Sequence, residues 1–170
     1  MRFEFCGLAS LDDLTGEKGE QCEQTVAELE MVQAQFLAAN PHPAGYRWPR
    51  DPLHTWSRVW EYPYVFGQIK RYRDSVLGRE TKPKAVDFGS GITFFPFAVA
   101  RLGFEVVCLD CDPVCEAGIS KASQPVDASP GTVSFRLVGE ERTALPLECG
   151  AVDVLYTISV LEGWACYRRA

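Results

Sequence analysis

Val26, Leu29, Val32 and Phe36 recur at spacings of three and four, the mark of one apolar face on a helix. Asn40 and Pro41 end it, and roughly the first 20 residues carry no such period and read as a leader. Residues 41–58 (PHPAGYRWPRDPLHTWSR) are proline-rich and aromatic, an extended connection that packs through Tyr46, Trp48 and Trp56. A second helix is expected from near Pro63, a residue suited to a first turn, to Leu77, with Val65, Ile69, Tyr72 and Val76 on one face and Gly78 as its stop. From residue 82 the texture changes to short β-rich runs, Lys84 to Phe88, Glu105 to Asp110, Thr132 to Val138 and Val152 to Ile158. Helical runs alternate with them, one over Phe95 to Leu102 and one opened by Asp112-Pro113. Right-handed crossovers then make an α/β fold, a parallel sheet with helices on both faces. The chain divides into an N-terminal helical and proline-rich segment, 1–58, and an α/β domain, 59–170.

A length of 170 residues, 46% of them hydrophobic, suffices for one buried core, so the α/β reading needs no second chain to fold. The net charge of −6 repels a polyphosphate backbone and disfavours nucleic acid as a partner. Lys70, Arg71 and Arg73 resemble a phosphate patch, but they fall in the last turns of the second helix, where cations complement the dipole. The N-terminus has no long apolar run and turns acidic by Asp12, which argues against a secretory signal or membrane anchor. Seven cysteines, an odd number scattered through apolar stretches, fit reduced thiols in the cytoplasm better than a disulfide framework.

In a parallel sheet the ligand lies beyond the carboxyl ends of the strands, so the residues that follow each strand are informative. After the first comes Gly89-Ser90-Gly91-Ile92-Thr93, where glycines permit a tight turn with main-chain N–H groups turned toward a ligand. A dinucleotide fingerprint needs a glycine three residues after Gly91, but Phe94 stands there. A P-loop needs Lys-Ser or Lys-Thr after the glycines, and none follows. The second strand ends in Asp110, 23 residues after Asp87 (110 − 87), where a carboxylate can accept both hydroxyls of a ribose. Asp112 serves as the cap of the next helix, leaving Asp110 free.

Over roughly residues 60 to 163 these features resemble the class I (Rossmann-like) S-adenosylmethionine-dependent methyltransferases. VDFGSGITFFP is similar to the family's first motif, which implies that Asp87, Gly89, Ser90 and Gly91 lie against the methionine part of the cofactor, with Thr93 where many members have a third glycine. CLDCDP is similar to the second motif, giving Asp110 the ribose hydroxyls and Cys111 the adenine. VGEERTALPL resembles the segment after the third strand, where Glu140 or Glu141 would meet the adenine amino group. AVDVLYTISVLEG resembles the fourth-strand motif, with Asp153 opening the strand and Thr157 to Val160, Ser159 among them, reaching the methyl-donor end. Gly163 replaces a histidine often found there.

The resemblance implies an S-adenosylmethionine-dependent methyltransferase acting on an unidentified acceptor, or a non-catalytic binding or interaction module. No general base is assigned. Glu162, His54 and Tyr64 are weighed and read instead as a surface charge, a packed loop residue and an aromatic cap. The aromatic run Trp56 to Phe66 reads either as a cover for the cofactor or as helix-to-sheet packing. Cys108, Cys111 and Cys115 form C-x2-C-x3-C without an evident fourth ligand, and His42 and His54 have no metal spacing, so no metal is expected. The family's sheet order is 3-2-1-4-5-7-6, so the expectation here is strands 3-2-1-4 alone, a truncated family member with an apolar fourth-strand edge open to a dimer or partner.

Overall fold

A computed structural model describes residues 16–55, 58–139 and 145–160, with side chains from residue 23 onward. Its elements are α1 (Gly16–Ala38), α2 (Arg58–Ser75), β1 (Lys84–Phe88), α3 (Phe95–Arg101), β2 (Glu105–Asp110), α4 (Val114–Ala122), β3 (Thr132–Leu137) and β4 (Val154–Tyr156). The four strands are all parallel and lie in the order β3-β2-β1-β4, an α/β, Rossmann-like arrangement. Register places Asp87 beside Cys108 on one side and Tyr156 on the other.

Strand alternation sorts the interior into two clusters. Ala85, Val106 and Cys108 join Leu29, Phe36, Phe66, Phe97 and Ile119, so among the described residues side chains of all four helices gather on that face, where the pattern predicts helices on both. On the opposite face Val86, Leu109 and Val138 pack with Leu145, Leu147 and Val152 from the connection between β3 and β4. The segment 1–58 is therefore not peripheral to packing, because Leu29, Val32, Phe36 and Leu53 sit in the larger cluster.

Several boundaries differ from those the pattern predicts. α1 starts at Gly16, inside the stretch read as a leader. α2 starts at Arg58, more than a turn before Pro63, because Tyr62 anchors that turn against Phe94 and Phe95 with ring centroids 5.4 and 4.9 Å apart. This packing outweighs the backbone hydrogen bond that Pro63 removes. β4 is three residues long, shorter than the Val152–Ile158 run, and its central Leu155 is 56% exposed. β3 ends at Leu137, although Val138 still donates its N–H to the Asp110 carbonyl at 2.9 Å. The Lys70 and Arg73 charges are spent on Glu28 and Asp74. Among the described residues no helix is long and apolar enough to cross a membrane.

Asp153 fastens the start of the sheet. Its carboxylate accepts the Lys84 N–H at 2.9 Å, the Tyr72 hydroxyl at 3.0 Å and the Arg79 guanidinium at 2.8 Å, tying β4, β1 and α2 together. The Lys84 amide and these partners hold its carboxyl below the usual carboxylate range. Gly131, just before β3, lies so close to the carbonyls of Phe104 and Ala100 that any Cβ there would collide with backbone. Gly131→Ala should therefore cost about 2–4 kcal/mol. Gly78→Ala, whose φ of 93° is strained but whose surroundings are open, should cost about 1 kcal/mol. Urea midpoints at constant m-value check the pair, and equal losses would contradict the steric account.

Candidate functional site at the carboxyl ends of the strands

The turn after β1 is built on two left-handed glycines, Gly89 at φ 71° and Gly91 at φ 55°. Its main-chain donors do not face an open site, as the glycine pattern alone suggests. Gly89 and Ser90 donate to the Leu109 carbonyl at 2.8 and 3.2 Å, Gly91 donates to Asp110 Oδ2 at 2.8 Å, and Ile92 donates to the Tyr46 hydroxyl at 2.8 Å. A loop with its N–H groups engaged internally is a poor cradle for a phosphate. Phe94 is fully buried at the head of α3, its ring tilted against Tyr62, so the position a dinucleotide site keeps as glycine is filled by a ring.

Asp110 is not free but held. Its Oδ2 accepts from Gly91, and its Oδ1 accepts from the Asp112 N–H at 3.0 Å, while Asp112 Oδ1 caps the next helix through the Val114 N–H at 2.9 Å. A carboxylate oxygen has two lone pairs, so each oxygen of the half-buried Asp110 retains one for a further donor. Its orientation is set by two backbone bonds, and that geometry suits a pair of adjacent hydroxyls. Cys111, exposed, follows directly at the mouth of the turn.

Asp87 lies below this turn, 5% exposed. Burial pushes its carboxyl up to about 8, and the Asp110 charge adds to the shift, whereas the Tyr156 hydroxyl opposes it. That hydroxyl faces Asp87 without a hydrogen bond of normal geometry, and the Thr157 hydroxyl is likewise buried without a partner among the described residues. Cys108, in register with Asp87, has its thiol pushed up by burial and serves as core.

The connector after α1 reaches this site as well. His42 donates Nε2–H to the Ile92 carbonyl at 2.9 Å, and Tyr46 accepts the Ile92 N–H, so both backbone groups of one residue are gripped from the same strap. Burial lowers the basicity of His42, and the bond to the Ile92 carbonyl, which Nε2–H makes in either protonation state, partly opposes that shift. The sequence pattern marks Tyr46 for packing and gives His42 only a lack of metal spacing, and their aromatic, proline-bounded setting is the one hint of more.

Ser159 takes the left-handed φ of 52°, and its hydroxyl donates to Glu61 Oε2 at 2.8 Å instead of pointing at the glycine turn. Val160 reaches the turn in its place, with its methyls 2.5 and 2.6 Å from where a Cβ on Gly89 would stand. His54 spends both ring nitrogens on Asp51 and Glu30, and Tyr64 lines a groove of about 360 Å³ between α2 and β4, so neither is placed as a base at the turn. Glu140, Glu141, Glu162 and Gly163 lie outside the described residues. No cluster of three or more His, Cys, Asp or Glu that could hold a metal occurs among the described residues.

No protein-family model matches the chain, and no curated protein matches it.

The raised Asp87 carboxyl has a consequence for stability. Between the ordinary value of 3.8 and about 8 the folded protein keeps a proton that the unfolded chain gives up. Stability contributed by this group therefore falls as pH rises through that window, by at most about 1.4 kcal/mol per pH unit. Asp87→Asn should flatten this slope and melt at a higher temperature than wild type at pH 8. Parallel melting profiles for the two proteins from pH 5 to 8 would refute the assignment.

Proposed function

We propose that the chain binds S-adenosylmethionine across the carboxyl ends of β1, β2 and β4 and acts as a methyltransferase on an acceptor not yet identified. The observation that carries this reading is Asp110, whose two oxygens are oriented by Gly91 and Asp112 and keep acceptor capacity for a ribose diol. The donor set supports it further. Asp87 is placed below the turn as a carboxyl that an ammonium would ionise, and Cys111 stands beside Asp110 as an edge for the base. An engaged set of turn amides favours a ligand with no phosphate there. Glu140 or Glu141 would meet the adenine amino group on this reading.

The cofactor supplies a sulfonium-activated methyl group, so the protein's task is to position a nucleophile and exclude water. The buried ring of Tyr62 and the strap through Tyr46 are on hand for that exclusion. The alternative, a non-catalytic binding module, draws support from Val160 lying over Gly89. We place the protein in the cytoplasm, on its odd number of cysteines.

Calorimetry with S-adenosylmethionine and S-adenosylhomocysteine tests the reading. Wild type should bind both, and Asp110→Ala should weaken S-adenosylhomocysteine about 10- to 100-fold, the loss of one or two hydrogen bonds to a charged acceptor. A folded wild-type sample without affinity for either compound rejects both enzyme and binding module.

β4 also bears on partners. It is the outer strand of the sheet among the described residues, and Leu155 at its centre is 56% exposed. On this reading a second copy pairs there, since an open apolar strand edge is a template for association. Sedimentation should show a dimer that Leu155→Lys dissociates, and a monomeric wild type at high concentration would count against it.

A further inference from the structure

We propose that Glu61 is a positioning residue for the cofactor site, acting through Ser159 on the segment that covers the glycine turn. The inference deepens the reading above and rests on it. Glu61 stands in the first turn of α2, and its carboxylate accepts the Ser159 Oγ–H at 2.8 Å across 98 residues of sequence. Arg58, the first residue of the same helix, holds its Nε 3.9 Å from the same carboxylate oxygen. The three side chains are mostly shielded, Arg58 and Glu61 being 20% and 21% exposed.

Ser159 is a non-glycine residue at a left-handed φ of 52°, a conformation that persists only where surrounding contacts enforce it. The Glu61 bond is the contact at hand. Its effect passes to the next residue, because Val160 packs directly over Gly89. The bond from α2 thus sets where Val160 lies, and on the cofactor reading this is the face of Gly89 that the methionine part of the ligand would meet. Tyr156, at the root of the same segment, has its buried hydroxyl against Asp87, and movement of the segment would expose it to a ligand entering there.

A site covered in its resting arrangement admits a ligand only in the fraction of time it is uncovered, and loosening the cover raises both the rate of entry and the apparent affinity. Stopped-flow tryptophan fluorescence with S-adenosylhomocysteine, paired with amide hydrogen exchange of the ligand-free protein, reads both halves. Glu61→Ala and Val160→Ala should each raise the association rate several-fold. Glu61→Ala should also speed exchange in residues 157–160 while leaving β1 protected. Glu61→Gln, whose amide oxygen still accepts the serine hydroxyl, should restore both readouts toward wild type, which a merely structural loss of charge would not do.

If wild type binds and Glu61→Ala changes neither association nor exchange, the positioning role is overturned while the cofactor reading stands. If wild type binds nothing although Glu61→Ala speeds exchange, the cofactor reading fails and the inference falls with it.

Discussion

The hydrogen bond from the Gly91 amide to Asp110 joins the ends of two neighbouring strands, and the site hangs on it. Parallel pairing brings Phe88 beside Leu109, so the turn after β1 and the turn after β2 start side by side. The Leu109 carbonyl then takes the Gly89 and Ser90 amides and the Asp110 carboxylate takes the next, which leaves the backbone little freedom. Two left-handed glycines make this path accessible at low cost. A side chain oriented by backbone bonds pays less ordering entropy when a ligand arrives, and this favours Asp110 as the fixed point of recognition.

The same geometry imposes an electrostatic burden. Asp87 is buried in the β1 position flanked by Cys108 and Tyr156, without a cation among these neighbours, and Asp110 is near enough to raise its carboxyl further. A folded protein resolves such a conflict by leaving the group neutral. A core composed only for stability would place an apolar residue there. On the proposed reading the buried carboxyl, paired across the strands with Tyr156, is a functional feature more than a structural one.

Much of the fold was legible in the sequence because buried parallel strands are written as continuous apolar runs, and Lys84–Phe88 and Glu105–Asp110 were read to the residue. Where helix packing is tertiary, legibility failed. Pro63 looks like a start signal only until Tyr62 is seen locked between Phe94 and Phe95. α1 extends back to Gly16 through a polar stretch whose apolar period is too weak to announce it. In the site, Asp87, Gly89, Gly91 and Asp110 were marked by residue type and spacing. The roles of His42 and Tyr46 were not, because each binds the backbone of Ile92, 50 and 46 residues away, and a backbone acceptor or donor leaves no trace in the identity of its residue. Ser159 shows the same limit: it was read as reaching the methyl-donor end, and nothing in its sequence context announced Glu61 as the partner of its hydroxyl.

These long-range ties change what the N-terminal helices are for. His42 and Tyr46 fix the turn at Ile92 from one side, and Glu61 fixes the residues after β4 from the other. The glycine turn is thus closed between two clamps supplied by the first 61 residues, and its core is shared with Leu29, Phe36 and Phe66. A binding site made by strand ends alone would be rigid and open. One whose cover depends on a single hydrogen bond from a neighbouring helix can be rigid at Asp110, where recognition needs order, and yielding at Val160, where entry needs room.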